Sequence, residues 1–190
     1  MKLKARYGHF NWIAPFYDGV FGTMHHDALF AHLEAAPGQT VLDIGGGTGR
    51  VAQRLAEIGA SVVVVDPSPQ MLVHADAKQV PAVRGLAEQL PFADGSIERI
   101  FVVDAFHHFA DQPLAASELV RVLQPGGRLV IEEPDLRHLA VKGIAIAEKL
   151  ALMQSHFYSP PDLADLFAAQ GATVLAITPD QISAHVVMTK

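Results

Sequence analysis

From residue 40 onward the chain switches repeatedly between short β-branched runs and stretches with helical spacing. That alternation restricts it to βαβ units around a mostly parallel sheet. Strands are expected at Thr40–Ile44, Ser61–Asp66, Ala82–Arg84, Ile97–Asp104 and Arg128–Glu133. SVVVVD at 61–66 is apolar without alternation, as a strand covered on both faces is, and is expected to be central. Val51, Leu55 and Ile58 recur at i, i+4 and i+7, with Gly59 as the left-handed stop. Ala116, Leu119, Val120 and Leu123 form the same stripe before Pro125, Gly126 and Gly127 break it. Ser159, Pro160 and Asp162 read as an N-cap, a first-turn proline and an acid at the third position; Leu163, Leu166 and Phe167 then face inward and Gly171 closes the helix. The last two runs, Ala172–Ile177 and Ala184–Thr189, have no helical stretch between them. They pair as a hairpin, because a parallel return needs about a dozen residues or more. The expected fold is therefore α/β and doubly wound, a seven-stranded sheet with an antiparallel last strand and helices on both faces.

At 190 residues the length suits one domain, and no separate substrate domain fits. Residues 37–190 are expected to form it. Residues 1–36, which hold half of the chain's aromatic side chains, are expected to be an N-terminal lid over its mouth. Fourteen basic against 20 acidic residues give a net charge of −6, which leaves no electrostatic footprint for a polyphosphate partner and disfavours nucleic acid. Without cysteine there is no disulfide, thiolate nucleophile, zinc knuckle or iron–sulfur cluster. The apolar stretch at 139–153 is interrupted by Lys142, Glu148 and Lys149, too soon for a membrane span. The start, MKLKARYGHFNW, lacks the apolar core of a secretory signal, so the expected location is cytoplasmic.

VLDIGGGTGR at 41–50 puts Gly45, Gly47 and Gly49 at a strand-to-helix turn, where backbone N–H groups can approach a small polar ligand. Two cofactor patterns coexist: Gly47, Gly49 and Ala52 satisfy G-x-G-x-x-G/A, and Gly45, Gly47 and Gly49 satisfy G-x-G-x-G. Asp43, two residues before the first glycine, suits a ligand ammonium group and would repel a pyrophosphate; alternatively it accepts from loop N–H groups. Asp66 ends the second strand where an acid receives ribose hydroxyls, or caps the turn through Pro67 and Ser68.

These residues resemble the seven-strand S-adenosylmethionine-dependent methyltransferases, and within them the small-molecule branch of the ubiquinone and menaquinone C-methyltransferases. The likeness runs over about residues 40–135 and weakens beyond Asp135. VLDIGGGTGR is similar to the family's first motif, which implies Asp43, Gly45, Gly46, Gly47 and Gly49 around the methionine moiety. VVVVDPSPQML implies Asp66 on the ribose, with Pro67 and Met71 near the adenine. GLAEQLPFADGSIERI implies Ala87 and Glu88 in the adenine pocket; the acid that often precedes this pair is here Leu86. VVDAFHHF implies Asp104 and Phe106 beneath the cofactor, and the Tyr17-Asp18 pair resembles a lid element of the quinone branch.

Methyl transfer from a sulfonium is an in-line displacement that rests on positioning, with a base needed only when the acceptor loses a proton. His107 and His108, at the carboxyl end of the fourth strand, are the candidate catalytic residues. An alternative reading packs one under the cofactor and hydrogen-bonds the other in the core. His25 and His26 do not share a helix face and are expected on the surface. No histidine pair has the i, i+4 spacing of a helical metal site, and no metal is expected. Phe10, Trp12, Phe16 and Tyr17 read either as an acceptor wall or as a staple onto the core. The leading function is methyl transfer to a small, apolar or aromatic acceptor, with oligomeric state open. The alternatives are a nicotinamide-dependent oxidoreductase and a non-catalytic S-adenosylmethionine-binding module.

Overall fold

The computed structural model describes residues 26–138 and 155–190. Within them, helix α1 (Asp27–Leu33) precedes β1 (Thr40–Ile44), α2 (Arg50–Glu57), β2 (Ser61–Asp66), α3 (Pro69–Ala77) and β3 (Ala82–Arg84). Then come β4 (Ile97–Val103), a 3-10 turn (Phe106–His108), α4 (Gln112–Val122), β5 (Leu123–Pro134), α5 (Pro160–Ala168), β6 (Thr173–Asp180) and β7 (Ser183–Thr189). The strands form one seven-stranded sheet in the order β3-β2-β1-β4-β5-β7-β6. β1 to β5 run parallel, and β7 is antiparallel to both β5 and β6. The hairpin expectation holds, with β7 lying between β5 and β6 in the sheet.

Successive side chains of the inner strands enter two separate cores, as the pleat requires. Leu42, Ile44, Ile100, Val102, Leu129, Ile131 and Met188 pack with Leu119 of α4 and Leu163 and Phe167 of α5. Val41, Phe101, Val130 and Val187 point the other way and pack with Leu55 of α2 and with Leu29 and Leu33 of α1. α1 thus belongs to the layer that covers the sheet. The lid expected of residues 1–36 otherwise falls at 1–25, outside the described residues, as do Tyr17 and the other N-terminal aromatics up to Phe21.

Helix ends follow local chemistry. Ser68, Asp111 and Ser159 each cap a helix by accepting the N–H of the third residue on, and each is followed by proline in the first turn. Gly59 and Gly171 carry the left-handed φ expected of helix stops.

Four expectations need correction. β2 is not central: it lies second from the edge, because its apolar run reflects helix cover on both faces rather than rank in the sheet. Ile58 is 52% exposed, since α2 ends at Glu57 and the next residue leaves the stripe. Leu123 is buried but extended, and it starts β5 by pairing with Ile97, so Pro125, Gly126 and Gly127 fall inside the strand. β4 ends at Val103, because Asp104 adopts a left-handed φ of 49°.

Candidate active site

The carboxyl ends of β1, β2 and β4 open onto a cleft of about 590 Å³, at the place where open α/β sheets hold their ligands. β1 feeds the glycine loop into it. At Gly45, φ is +74° and a β-carbon would stand 2.6 Å from that of Ala105; at Gly46 a β-carbon would stand 2.3 Å from Cγ of Asp43. Only hydrogen fits at either position, so the backbone can lie directly against the sheet end and the Asp43 carboxylate.

The cleft is lined by Gly45, Gly47, Asp66, Pro67, Met71, Ala87, Asp104 and His108, eight of the residues expected at the site. A smaller adjoining cavity of about 360 Å³ adds Asp43 and Gly46, and also Arg50. Leu86 lines the larger cleft, so the wall at that position is apolar.

Three carboxylates, Asp43 and Asp66 buried and Asp104 half-buried, set the electrostatics. Asp43 is 2% exposed. Burial first, and then the Asp66 charge, push its carboxyl up to about 8 against the opposing pull of Arg50 and the Ala52 N–H. Its Oδ2 has no hydrogen-bond partner. Burial raises Asp66 to about 6, although its two oxygens accept the Ser68 N–H at 2.7 Å and the Gly47 N–H at 3.1 Å. Asp66 therefore does cap the turn, and each oxygen still has a second lone pair for a hydroxyl donor. Asp104 is pushed up to about 7, by burial and then by Glu133 and Glu132, with His107 and His26 pulling the other way. Acids this costly to ionise await positive charge or hydrogen-bond donors.

The remaining expected residues lie elsewhere. Phe106 is 1% exposed and packs among Phe109, Tyr158 and Phe167 in the core, because the 3-10 turn directs it away from the cleft. Glu88 turns towards α4, where its Oε1 accepts the N–H groups of Ala110 and Asp111 at 2.6 and 3.1 Å. Gly49 caps the start of α2 with φ +71° and sits against Ala75, serving helix packing.

The two adjacent histidines part company. His107 is 3% exposed, bonds Glu133 Oε2 through Nδ1 at 2.6 Å and stacks on Phe157 at 4.3 Å. Glu133 also accepts the Phe106 N–H, so this acid–histidine pair fixes the turn. His108 lines the cleft, with Nδ1 3.1 Å from Ser155 Oγ. The segment bearing Ser155 is stitched to the turn by Gln112. That side chain donates to the carbonyls of Phe106 and His156 and lies 2.9 Å from His156 Nδ1.

His26 overturns its surface expectation. It is 2% exposed, its Nδ1 is 3.1 Å from Glu132 Oε2 and its Nε2 is 3.1 Å from Arg50. These partners are distant in sequence, so nothing around His26 signalled its burial. Arg50 sits inside the glycine motif with nothing local to mark its role, and no spacing distinguishes Ser155 or Gln112. Among the described residues no group of three or more acids or histidines is arranged to hold a metal ion.

The family described as a methyltransferase domain matches residues 42–131, the stretch from β1 to β5 that builds this cleft. Over those residues the chain matches a methyltransferase domain. S-adenosylmethionine is the cofactor this family implies, and the donors present suit it: an unpartnered buried carboxylate for an ammonium, a second acid for ribose, and apolar Pro67, Met71 and Leu86 for a base. A methyltransferase of Mycobacterium tuberculosis of uncharacterized function is 45% identical over 96 residues, half of this chain and 39% of that one. Demethylmenaquinone methyltransferase of the same organism is 39% identical over 101 residues, 53% of this chain and 43% of that enzyme. The matches thus span about two fifths of these relatives. In three dimensions, an S-adenosylmethionine-dependent methyltransferase of Thermotoga maritima superposes with a TM-score of 0.79 at 23% identity, covering 97% of this chain and 99% of that one. At that identity the likeness speaks for the methyltransferase fold.

Proposed function

We propose that this protein transfers the sulfonium methyl of S-adenosylmethionine to a small apolar or aromatic acceptor, acting in the cytoplasm without a nucleic-acid partner. The observation that carries the reading is Asp43: a buried carboxylate with an unpartnered oxygen, beside a glycine loop that admits backbone only. Burial leaves that carboxyl reluctant to ionise until a cation arrives, so it favours an ammonium-bearing tail and offers a pyrophosphate no counter-charge, which disfavours a nicotinamide coenzyme.

Asp43 and Gly45 to Gly47 would hold the amino-acid tail, Asp66 the ribose hydroxyls, and Pro67, Met71 and Ala87 the adenine. When bound, the cofactor supplies an electrophilic methyl on a positively charged sulfur. The chain's own contribution is to fix the acceptor in line with it, which supplies roughly 7–11 kcal/mol of such a barrier. His108, on the cleft wall, takes a proton from an acceptor that must lose one, such as a phenol or an activated ring carbon. His107 and Glu133 hold the turn that presents it. The apolar wall of Ala105 and Phe109 favours an acceptor of low polarity.

Calorimetric titration with S-adenosylhomocysteine and with NADH tests the cofactor half, and incubation with methyl-labelled S-adenosylmethionine and a panel of phenols and quinols tests the acceptor half. Binding of the thioether nucleoside with label moving to a ring acceptor is expected. Selective binding of NADH would overturn the first. Binding without label transfer to any acceptor would favour a silent cofactor-binding module.

A further inference from the structure

Arg50 is the first residue of α2, directly after the glycine loop, and shares the smaller cavity with Asp43, Thr48 and Asp104. That cavity meets the main cleft at Gly45, Gly47 and Asp104. Two of its residues each hold a buried polar atom without a partner: the acceptor Asp43 Oδ2 and the donor Arg50 Nε. The two do not satisfy each other. A ligand group that fills both must carry a donor for the carboxyl and an acceptor for the guanidinium, and an α-amino acid offers the two together with complementary charge.

The position of the guanidinium is set from behind. Arginine only donates, so at the 3.1 Å contact with Arg50 the His26 Nε2 is the acceptor. The proton of His26 is then on Nδ1, which donates to Glu132 Oε2 at 3.1 Å. The same oxygen takes His185 Nε2 at 3.1 Å from β7. Burial opposes the charge on Glu132, yet the hydrogen bonds from His185 and His26 outweigh it and pull its carboxyl down to about 2. A chain of oriented hydrogen bonds thus runs from β7 through β5 and the residue before α1 to one side of the guanidinium, leaving its Nε–H unused.

We infer that Arg50 receives the carboxylate of the ligand's amino-acid tail while Asp43 receives its ammonium, and that His26 is a positioning residue for Arg50. The inference rests on the cofactor reading above and assigns half of the tail's recognition to a residue that reading does not use. It makes the protein selective for the whole zwitterion over the bare adenosine thioether.

The test is calorimetric titration of the full chain with S-adenosylhomocysteine and with 5′-methylthioadenosine, which lacks the amino-acid tail. In Arg50→Met the first ligand should weaken tenfold or more and the second less than twofold, with Arg50→Lys recovering part of the loss. His26→Gln should weaken the first ligand selectively, and the 15N shifts of His26 should report an Nδ1-protonated ring that changes in Arg50→Met. Equal weakening of both ligands, or unchanged binding of the homocysteine ligand to a folded Arg50→Met or Arg50→Lys protein, overturns the inference and leaves the cofactor reading standing. Failure of the wild-type protein to bind either ligand overturns both.

Discussion

On the glycine-loop side of the cleft, Asp43 and Arg50 each keep a buried polar atom unpaired, whereas around the 106–112 turn Gln112 and His107, with Glu133 of β5, bond to one another's surroundings through nearly every polar atom they bury. Leaving a buried donor or acceptor unsatisfied costs about 1–3 kcal/mol, and a fold tolerates that where a ligand later repays it. The contrast separates two uses of buried polarity, reception on one side and framework on the other. It also explains why His107, a good catalytic candidate by position, is occupied with holding the turn.

The contrast breaks most visibly at Asp43. Asp43→Asn should lose S-adenosylhomocysteine affinity by about 100-fold, in line with the cost of removing one partner of a buried charged pair. The ligand-free protein should respond in the opposite direction. The folded carboxyl titrates near 8 and its unfolded counterpart near 3.8, so the unfolded chain binds fewer protons between those values and stability falls as pH rises. Asn removes that loss. Melting curves should show the variant more stable than wild type at pH 8, with the difference shrinking towards pH 5.

The same linkage predicts the pH dependence of binding. An ammonium selects ionised Asp43, so affinity for S-adenosylhomocysteine should rise by up to about tenfold per pH unit from 6 towards 8 and then level off. In Asp43→Asn the rise should flatten, leaving only what Asp66 and Asp104 contribute. A wild-type affinity independent of pH over this range would remove Asp43 as the receiver of positive charge.

Gly46→Ala sharpens the point by steric means, because its new methyl would meet the Asp43 carboxylate while the backbone there needs no left-handed turn. A loss of about tenfold in affinity with a cost of about 1–3 kcal/mol in stability is expected, from calorimetry and denaturant titration. On the framework side, Gln112→Leu should also cost about 1–3 kcal/mol, by orphaning the carbonyls of Phe106 and His156, yet leave affinity for the nucleoside close to wild type. If Gln112→Leu instead abolished nucleoside binding while the protein stayed folded, the division between the two regions would fail.

Much of the reception side is legible in the sequence because its determinants are local. VLDIGGGTGR encodes strand, turn and helix start within ten residues, and β1, β2 and β3 begin and end where their residue types change. The framework side is not legible in this way. His26 reads as a surface residue until Glu132 and His185, contributed by β5 and β7, reach it. Glu88 looks like a binding acid beside Ala87, but the start of α4, more than twenty residues on, claims one oxygen of its carboxylate. Phe106 is drawn inward by Phe167 of α5, an encounter that no spacing near Phe106 foretells. Even the rank of β2 in the sheet depends on which strands choose it as a neighbour, information that an apolar run does not contain.

The threading of β7 between β5 and β6 has a consequence for assembly. Among the described strands, β6 borders β7 alone, so although it is synthesised earlier it can join the sheet only when the later strand arrives to bridge the gap. Construction of this margin runs against the direction of translation. A nascent chain halted before Ser183 would expose a bare ribbon bearing Leu175 and Ile177, ready to pair with a neighbouring copy on the polysome.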